Sequence, residues 1–310
     1  MQKEQDYPIG KPGIKWGPEE IAQWHEKQVV KRSYQQEVVS KVNTLTDHFT
    51  IKQYGALSYD EQAYPLLALV SHTFNANKPT VLVTGGVHGY ETSGVHGALL
   101  FAEKYADNFH EQVNFIIIPC VSPWGYETIN RWNPLAIDPN RSFYPQSPAQ
   151  ESAKLMAFIE EMGVELLAHF DLHETTDTDN SEFRPALAAR DATVHDNWNI
   201  PDGFYLVANT AKPQTAFQKA IIDAVAKITH IAPADDENRL IGETIEQFGV
   251  INYDARPLGL CMGFSDAKFV TTTEVYPDSP KVDTDNCNLA QATVINAGLA
   301  YILANNSHND

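Results

Sequence analysis

The most informative stretch of the chain covers residues 81–91 and reads Val81-Leu82-Val83-Thr84-Gly85-Gly86-Val87-His88-Gly89-Tyr90-Glu91. A short apolar run that ends at glycines is typical of a buried strand, and a histidine and a carboxylate follow it, three positions apart. In an open α/β sheet, ligands bind in the crevice outside the carboxyl ends of the strands. Imidazole and carboxylate groups are zinc ligands, and a catalytic site leaves one position of the ion open. The stretch therefore predicts a metal site at a sheet edge, with His88 and Glu91 as ligands.

Strand-like and helix-like segments alternate along the rest of the chain. Strands are predicted over residues 49–57, 64–72, 80–84, 113–121, 164–173, 204–210 and 268–276, and helices over residues 18–42, 93–105, 149–162, 214–228 and 284–304. This alternation predicts a three-layer α/β/α fold around a mixed, mostly parallel central sheet. We predict a helical N-terminal extension over residues 1–45 and one α/β domain over residues 46–310. Residues 124–148 and 175–202 are predicted to be loops, and a loop of the first one's length is usually functional or disordered.

Composition excludes several classes of protein. The 310 residues include 40 acidic and 22 basic side chains, for a net charge of −18, which disfavours binding to nucleic acid or to an anionic membrane. No run of 18 apolar residues predicts a transmembrane helix, and residues 1–6 lack the basic start of a secretory signal. Cys120, Cys261 and Cys287 are odd in number and widely spaced, which predicts free thiols in a reducing compartment. We therefore expect a cytoplasmic protein; its oligomeric state is open.

Three further segments carry chemistry at predicted strand ends or in the loops beside them. His173 ends an apolar run much as His88 does, which completes a His, Glu, His set that suits one catalytic zinc ion. Glu274 lies near the end of the last predicted strand, where an ionised carboxylate must be paired or functional. Arg131, Asn140 and Arg141 lie in the long loop after residue 123.

These side chains have chemical roles that follow from their types. Glu274 is a candidate to take the proton of a water molecule and pass it to a leaving amine. Arg131 is a candidate to stabilise a tetrahedral oxyanion. The planar fork of Arg141, beside the amide of Asn140, matches a terminal carboxylate on a substrate.

The set resembles the motifs of the zinc carboxypeptidases, the M14 metallopeptidases in the broad sense. That group includes the deacylases related to succinylglutamate desuccinylase and aspartoacylase. The resemblance covers residues 80–276, and in chain order its motifs are His88-Gly89-Tyr90-Glu91, Arg131-Trp132-Asn133-Pro134, Asp138-Pro139-Asn140-Arg141-Ser142-Phe143, His173 and Thr272-Thr273-Glu274-Val275. It implies a zinc carboxypeptidase-like fold, an orienting role for Asp138 beside His88, and a substrate-binding role for Tyr253.

The resemblance implies a zinc-dependent metallocarboxypeptidase that hydrolyses C-terminal peptide bonds. A preference for a basic terminal residue is suggested by the net charge and by five acids after the third ligand: Glu174, Asp177, Asp179, Glu182 and Asp191. Two alternatives stay open, a deacylase of N-acyl amino acids and an inactive zinc-binding homologue. The expected substrate is a peptide or an N-acyl amino acid with a free carboxylate. A two-metal aminopeptidase is disfavoured because it needs more bridging acids.

Overall fold

The computed structural model describes residues 7–72 and 74–306, so residues 1–6, on which the absence of a secretory signal was argued, lie outside the described residues. The strands are β1 (Phe49–Ala56), β2 (Pro65–Ser71), β3 (Thr80–Gly85), β4 (Asn114–Ile118), β5 (Leu166–Glu174), β6 (Tyr205–Asn209), β7 (Arg239–Leu240), β8 (Glu243–Thr244), β9 (Val250–Tyr253) and β10 (Phe269–Val275). The helices are α1 (Pro18–Glu26), α2 (Ser40–Asn43), α3 (Thr92–Lys104), α4 (Pro123–Thr128), α5 (Gln150–Met162), α6 (Arg184–Asp191), α7 (Thr215–Val225), α8 (Cys261–Phe264) and α9 (Thr284–Asn306).

Eight strands form one sheet in the order β1-β2-β4-β3-β5-β10-β6-β9, and β7 and β8 form a separate two-stranded sheet. The pairs β3–β4, β3–β5, β5–β10 and β6–β9 are parallel. The pairs β1–β2, β2–β4 and β6–β10 are antiparallel. The predicted mixed, mostly parallel sheet is therefore confirmed.

The two faces of the sheet bury separate hydrophobic clusters, because successive side chains of a strand point to opposite faces. Val81 and Val83 of β3 join the cluster that α3, α7 and α9 cover. Leu82, between them, joins the cluster that includes Leu155 and Phe158 of α5. These layers enclose β3, β5 and β10, so polar side chains can emerge only at the strand ends.

Helix α9 is, among the described residues, the one helix that is long and apolar enough to cross a membrane by length and composition. No such helix was expected from the sequence. The structure gives its apolar surface a different partner, because α9 packs against α3 and α7. Cys287, Ala290 and Ile295 of α9 are fully or almost fully buried there. An apolar helix that is buried in this way is a core helix of the fold.

The predicted helix over residues 18–42 is wrong, since α1 ends at Glu26 and a second helical stretch begins only at Gln35. The backbone N–H groups of Lys31 and Arg32 donate to the carbonyl of Glu127 instead of to a helix ladder. This contact ties the chain between the two helical stretches to α4. Trp24 and Tyr34 on either side of it belong to the same hydrophobic cluster as the sheet.

The two segments predicted as loops contain helices. The first carries α4 and a 3-10 turn, Pro139–Arg141, and the second carries a π-helical turn, Asp179–Phe183, followed by α6. Strand β9 and helix α8, between residues 228 and 268, were not predicted at all. Both are only four residues long, too short for a period of hydrophobic residues to stand out.

Candidate metal centre

His88, Glu91 and His173 converge at the carboxyl ends of β3 and β5, and their ligand atoms all lie within 4.8 Å of one another. Nδ1 of His88 lies 2.7 Å from Oε1 of Glu91, and Nδ1 of His173 lies 2.7 Å from Oε2. All three side chains are buried. Oε2 of Glu91 accepts no hydrogen bond from the part of the chain that the structure describes. A buried carboxylate oxygen without a hydrogen bond is costly, and two nitrogens and a carboxylate form a donor set that fits zinc.

The Nε2 atom of each histidine, on the other side of the ring from Glu91, lies next to a carboxylate. Nε2 of His88 lies 2.9 Å from Oδ1 of Asp138, and Nε2 of His173 lies 3.0 Å from Oδ2 of Asp171. The hydroxyl of Thr84 donates to the other oxygen of Asp171 at 2.6 Å. A carboxylate that accepts from one ring nitrogen fixes the tautomer and leaves the other nitrogen free to bind a metal. Both Nδ1 atoms are therefore presented toward Glu91.

Glycines allow the backbone to make this turn. Gly86 adopts a φ of +59°, which L side chains rarely take up. A Cβ atom on Gly89, inside the motif, would lie 2.1 Å from the backbone carbonyl carbon of Gly125. The backbone after β3 thus rests directly on α4.

An arginine from the N-terminal segment clamps the same turn. Arg32 donates from Nε to the carbonyl of Tyr126, from one terminal nitrogen to the hydroxyl of Thr92, and from the other to the carbonyl of Gly89, at 2.6, 2.6 and 2.8 Å. Its guanidinium also lies over the ring of Tyr126. The N-terminal segment therefore supports the turn that carries His88 and Glu91.

Glu274 lies beside the metal ligands because β10 pairs with β5 in a register that places it next to His173. Its Oε2 accepts a hydrogen bond from the Thr175 hydroxyl at 2.8 Å. Burial raises the pKa of Glu274 to about 8; the charge of His173 opposes this shift, and that of Glu91 adds to it. The charge of a bound cation would also oppose it. A carboxyl whose pKa lies near neutrality is suited to take up and release a proton.

The polar side chains of the long loop face the same cavity. Arg131 forms an ion pair with Asp138, from Nε to Oδ2 at 3.0 Å, so Asp138 bridges Arg131 and His88. The carbonyl of Asn140 accepts from Arg141 at 2.8 Å, and its side-chain oxygen accepts from the backbone of Cys261 at 2.7 Å. Arg141 is exposed and pairs with no carboxylate within residues 7–72 and 74–306.

All the predicted site residues line one cavity of about 600 Å³. Tyr253 borders it from the end of β9, and burial raises the pKa of its hydroxyl to about 12, with the charge of Glu274 adding to the rise. Two arginines that the sequence did not single out, Arg184 and Arg190 of α6, also line it. The cavity thus has positive charges along a wall that the sequence predicted to be acidic.

The five acids after His173 are all held by other groups of the protein. Glu174 accepts from the backbone N–H groups of Thr92 and Ser93 at the start of α3, at 3.1 and 2.6 Å. Asp177 and Glu182 accept from the hydroxyls of Tyr276 and Tyr7. The other two pair with arginines, Asp179 with Arg131 and Asp191 with Arg190. Three of these five acids line the cavity: Glu174, Asp179 and Asp191.

Sequence reasoning missed Asp171, Thr175 and the two arginines of α6. One signal for Asp171 was available, because residues two apart on a strand share a face, and Asp171 lies two before His173 on β5. Arg184 was hidden in a segment taken for a polar loop. Its place in the cavity depends on the fold of residues 175–202, in which it begins α6.

Comparison with known proteins agrees with this geometry. Residues 34–185 match the family model of the M14 peptidases, described as zinc carboxypeptidase. No curated protein matches the chain. A structure from Shewanella amazonensis, described provisionally as a metallopeptidase, is 21% identical over 89% of this chain and 98% of its own, with a TM-score of 0.66.

Two further structures are carboxypeptidases by name. The metallo-carboxypeptidase from Burkholderia cenocepacia is 15% identical over 86% of this chain and 68% of its own, with a TM-score of 0.58. Carboxypeptidase A from Helicoverpa armigera is 14% identical over 94% and 74%, with a TM-score of 0.55. At these identities the structures establish a shared fold. The match over residues 34–185 makes that part of the chain similar to the M14, or zinc carboxypeptidase, family.

Proposed function

We propose that the protein is a zinc-dependent metallocarboxypeptidase that removes the terminal residue from a peptide with a free carboxylate. The observation that carries the proposal is the arrangement of the buried donors. Nδ1 of His88 and Nδ1 of His173 both face the Glu91 carboxylate at 2.7 Å, while a carboxylate holds each opposite nitrogen. This arrangement presents three ligands for one ion.

When bound, zinc supplies a polarising charge and a water molecule whose pKa is lowered to about 7. Glu274, beside His173, would take the proton of the attacking water at its carboxylate and return it to the leaving amine. Arg131, fixed by Asp138, would stabilise negative charge on the carbonyl oxygen of the scissile bond. Asn140 and Arg141 would hold the terminal carboxylate, and the exposed guanidinium of Arg141 is open to it.

We do not extend the proposal to a preference for a terminal lysine or arginine. That preference was inferred from the net charge and from five acids, and each of these acids already accepts a hydrogen bond or forms an ion pair within the protein. A carboxylate whose oxygens are already engaged in this way is less free to pair with a cationic side chain of a substrate.

The test is hydrolysis by the zinc-loaded full chain of peptides that differ in their terminal residue, with a panel of N-acyl amino acids beside them. Glu274→Gln is expected to lower peptide hydrolysis by about 10²- to 10⁴-fold, the usual contribution of a general base. Glu161→Gln, on the exposed side of α5, is the matched control and should retain full activity.

Three results contradict the proposal. Hydrolysis of acyl amino acids alone would assign the protein to the deacylases. Full peptide hydrolysis by Glu274→Gln would remove the proposed base. Tight zinc binding without turnover of either panel would identify an inactive homologue.

A further inference from the structure

The cavity contains four arginines, and they differ in whether their charge is matched. Arg131 pairs with Asp138 at 3.0 Å, and Arg190 pairs with both oxygens of Asp191 at 2.9 Å. Arg141 and Arg184 form no ion pair with any carboxylate in the described part of the chain. If Arg141 holds the terminal carboxylate of the substrate, one cation of the cavity still lacks an anion.

That cation, Arg184, is half-buried and is held in place by neutral groups. It is the first residue of α6, and one of its terminal nitrogens donates to the side-chain oxygen of Asn180 at 2.6 Å and to the carbonyl of Asn199 at 3.2 Å. Nε and the other terminal nitrogen donate to no group within residues 7–72 and 74–306. These two nitrogens form the edge through which a guanidinium can donate two parallel hydrogen bonds to a carboxylate. The fork is therefore positioned by the protein and open to the cavity.

The surroundings favour the binding of an anion at this place. Burial lowers the pKa of Arg184, against the raising effect of Asp179, as expected for a cation that has lost part of its hydration. Asp179 is already shared between Arg131 and the hydroxyl of Tyr90. Glu243, which also lines the cavity, is exposed, and an exposed charge is well screened by water. A partly desolvated cation gains most from a ligand that brings the missing charge.

We propose that Arg184 binds a second carboxylate of the substrate, in addition to the terminal carboxylate assigned to Arg141. This inference rests on the proposed function for the position of the first carboxylate. The substrate class is then a peptide with an acidic side chain at the terminal residue or at the residue before the scissile bond.

The test measures peptide binding by calorimetry to the zinc-loaded Glu274→Gln protein, in which hydrolysis is expected to be about 10²- to 10⁴-fold slower. Two peptide pairs are compared, one that ends in Glu or Gln, and one that has Glu or Gln before a terminal Ala. In one pair the Glu peptide should bind about tenfold or more tightly than its Gln counterpart, the usual worth of a hydrogen-bonded charge. Adding Arg184→Gln should abolish this difference.

Arg256→Gln is the control for the loss of one positive charge, because Arg256 lies outside the cavity and is mostly exposed. Thermal melting of each variant shows whether it is folded. Equal binding within both pairs, a difference that survives Arg184→Gln in a folded protein, or no binding of any peptide would overturn the inference.

The two proposals can fail separately. If the unaltered enzyme hydrolyses neutral peptides and does not distinguish the Glu peptides from the Gln peptides, the carboxypeptidase activity is supported and the role of Arg184 is contradicted. An Arg184-dependent difference in binding, without hydrolysis of any peptide, would support the role of Arg184 and contradict the proposed carboxypeptidase activity.

Discussion

Replacing Asp171 with asparagine should weaken zinc binding without unfolding the protein. Oδ2 of Asp171 lies 3.0 Å from Nε2 of His173, and both side chains are only 1–2% exposed. Asn has the same shape but lacks the charge. If its amide nitrogen turns to His173, Nε2 must accept and the proton moves to Nδ1, which can then no longer bind a metal.

The magnitude follows from the hydrogen bond that is lost. A hydrogen bond to a charged group is worth about 1.5–3 kcal/mol, and about 1.4 kcal/mol is a factor of ten in affinity. We therefore expect zinc dissociation constants about 10- to 100-fold higher for Asp171→Asn, in the range known for groups behind metal ligands. The assay is competition for zinc between the apoprotein and a chelating indicator.

The matched control is Asp202→Asn, because Asp202 holds Nε2 of His230 at 2.8 Å in a pair that lies outside the cavity. It should bind zinc as the unaltered protein does. The reasoning about His173 is refuted if Asp171→Asn, folded by circular dichroism, binds zinc within twofold of the unaltered protein.

Two further predictions concern stability. Burial, with the charge of Lys41, lowers the pKa of His96 to about 4, below the unfolded value of about 6.5. The unfolded chain therefore binds the proton first as the pH falls, so this histidine should lower the free energy of unfolding by about 2 kcal/mol between pH 7 and 5. In urea denaturation, His96→Gln should lose about 2 kcal/mol less stability over this pH range than the unaltered protein. An equal loss in the two proteins would contradict the assignment. Gly89→Ala would bring a Cβ to 2.1 Å from the backbone of Gly125. We therefore expect the free energy of unfolding in the same assay to fall by about 3 kcal/mol or more, and zinc to bind more weakly. A fall below about 1 kcal/mol would contradict this prediction, because it would show that the turn can relax.

The chain order of the motifs carried much of the prediction. His88 and Glu91 follow the same apolar strand and lie three positions apart, so a strand that ends at glycines is enough to bring them together. The fold class followed from the alternation of strands and helices, and it was confirmed by the sheet order. Such signals are local, and sequence spacing is enough to read them.

Short or irregular elements escaped this reasoning. The helix predicted over residues 18–42 is interrupted because Lys31 and Arg32 bond to Glu127, nearly one hundred residues away. Helix α6 brings Arg184 into the cavity from a segment that shows no clear period. Contacts of this kind depend on which distant segments pack together, so they cannot be predicted from composition.

The donor types, the order of the motifs and the class of fold could be predicted from the sequence, because they depend on residue identity and near spacing. The tertiary structure alone decided that Glu274 stands beside His173, through the parallel register of β10 and β5. It also decided that the acids after His173 accept hydrogen bonds or form ion pairs within the protein, from partners as distant as Tyr7 and Tyr276. The physical reason is that the electrostatic effect of a charge depends on its neighbours in space and its burial, and both are set only when distant segments pack together.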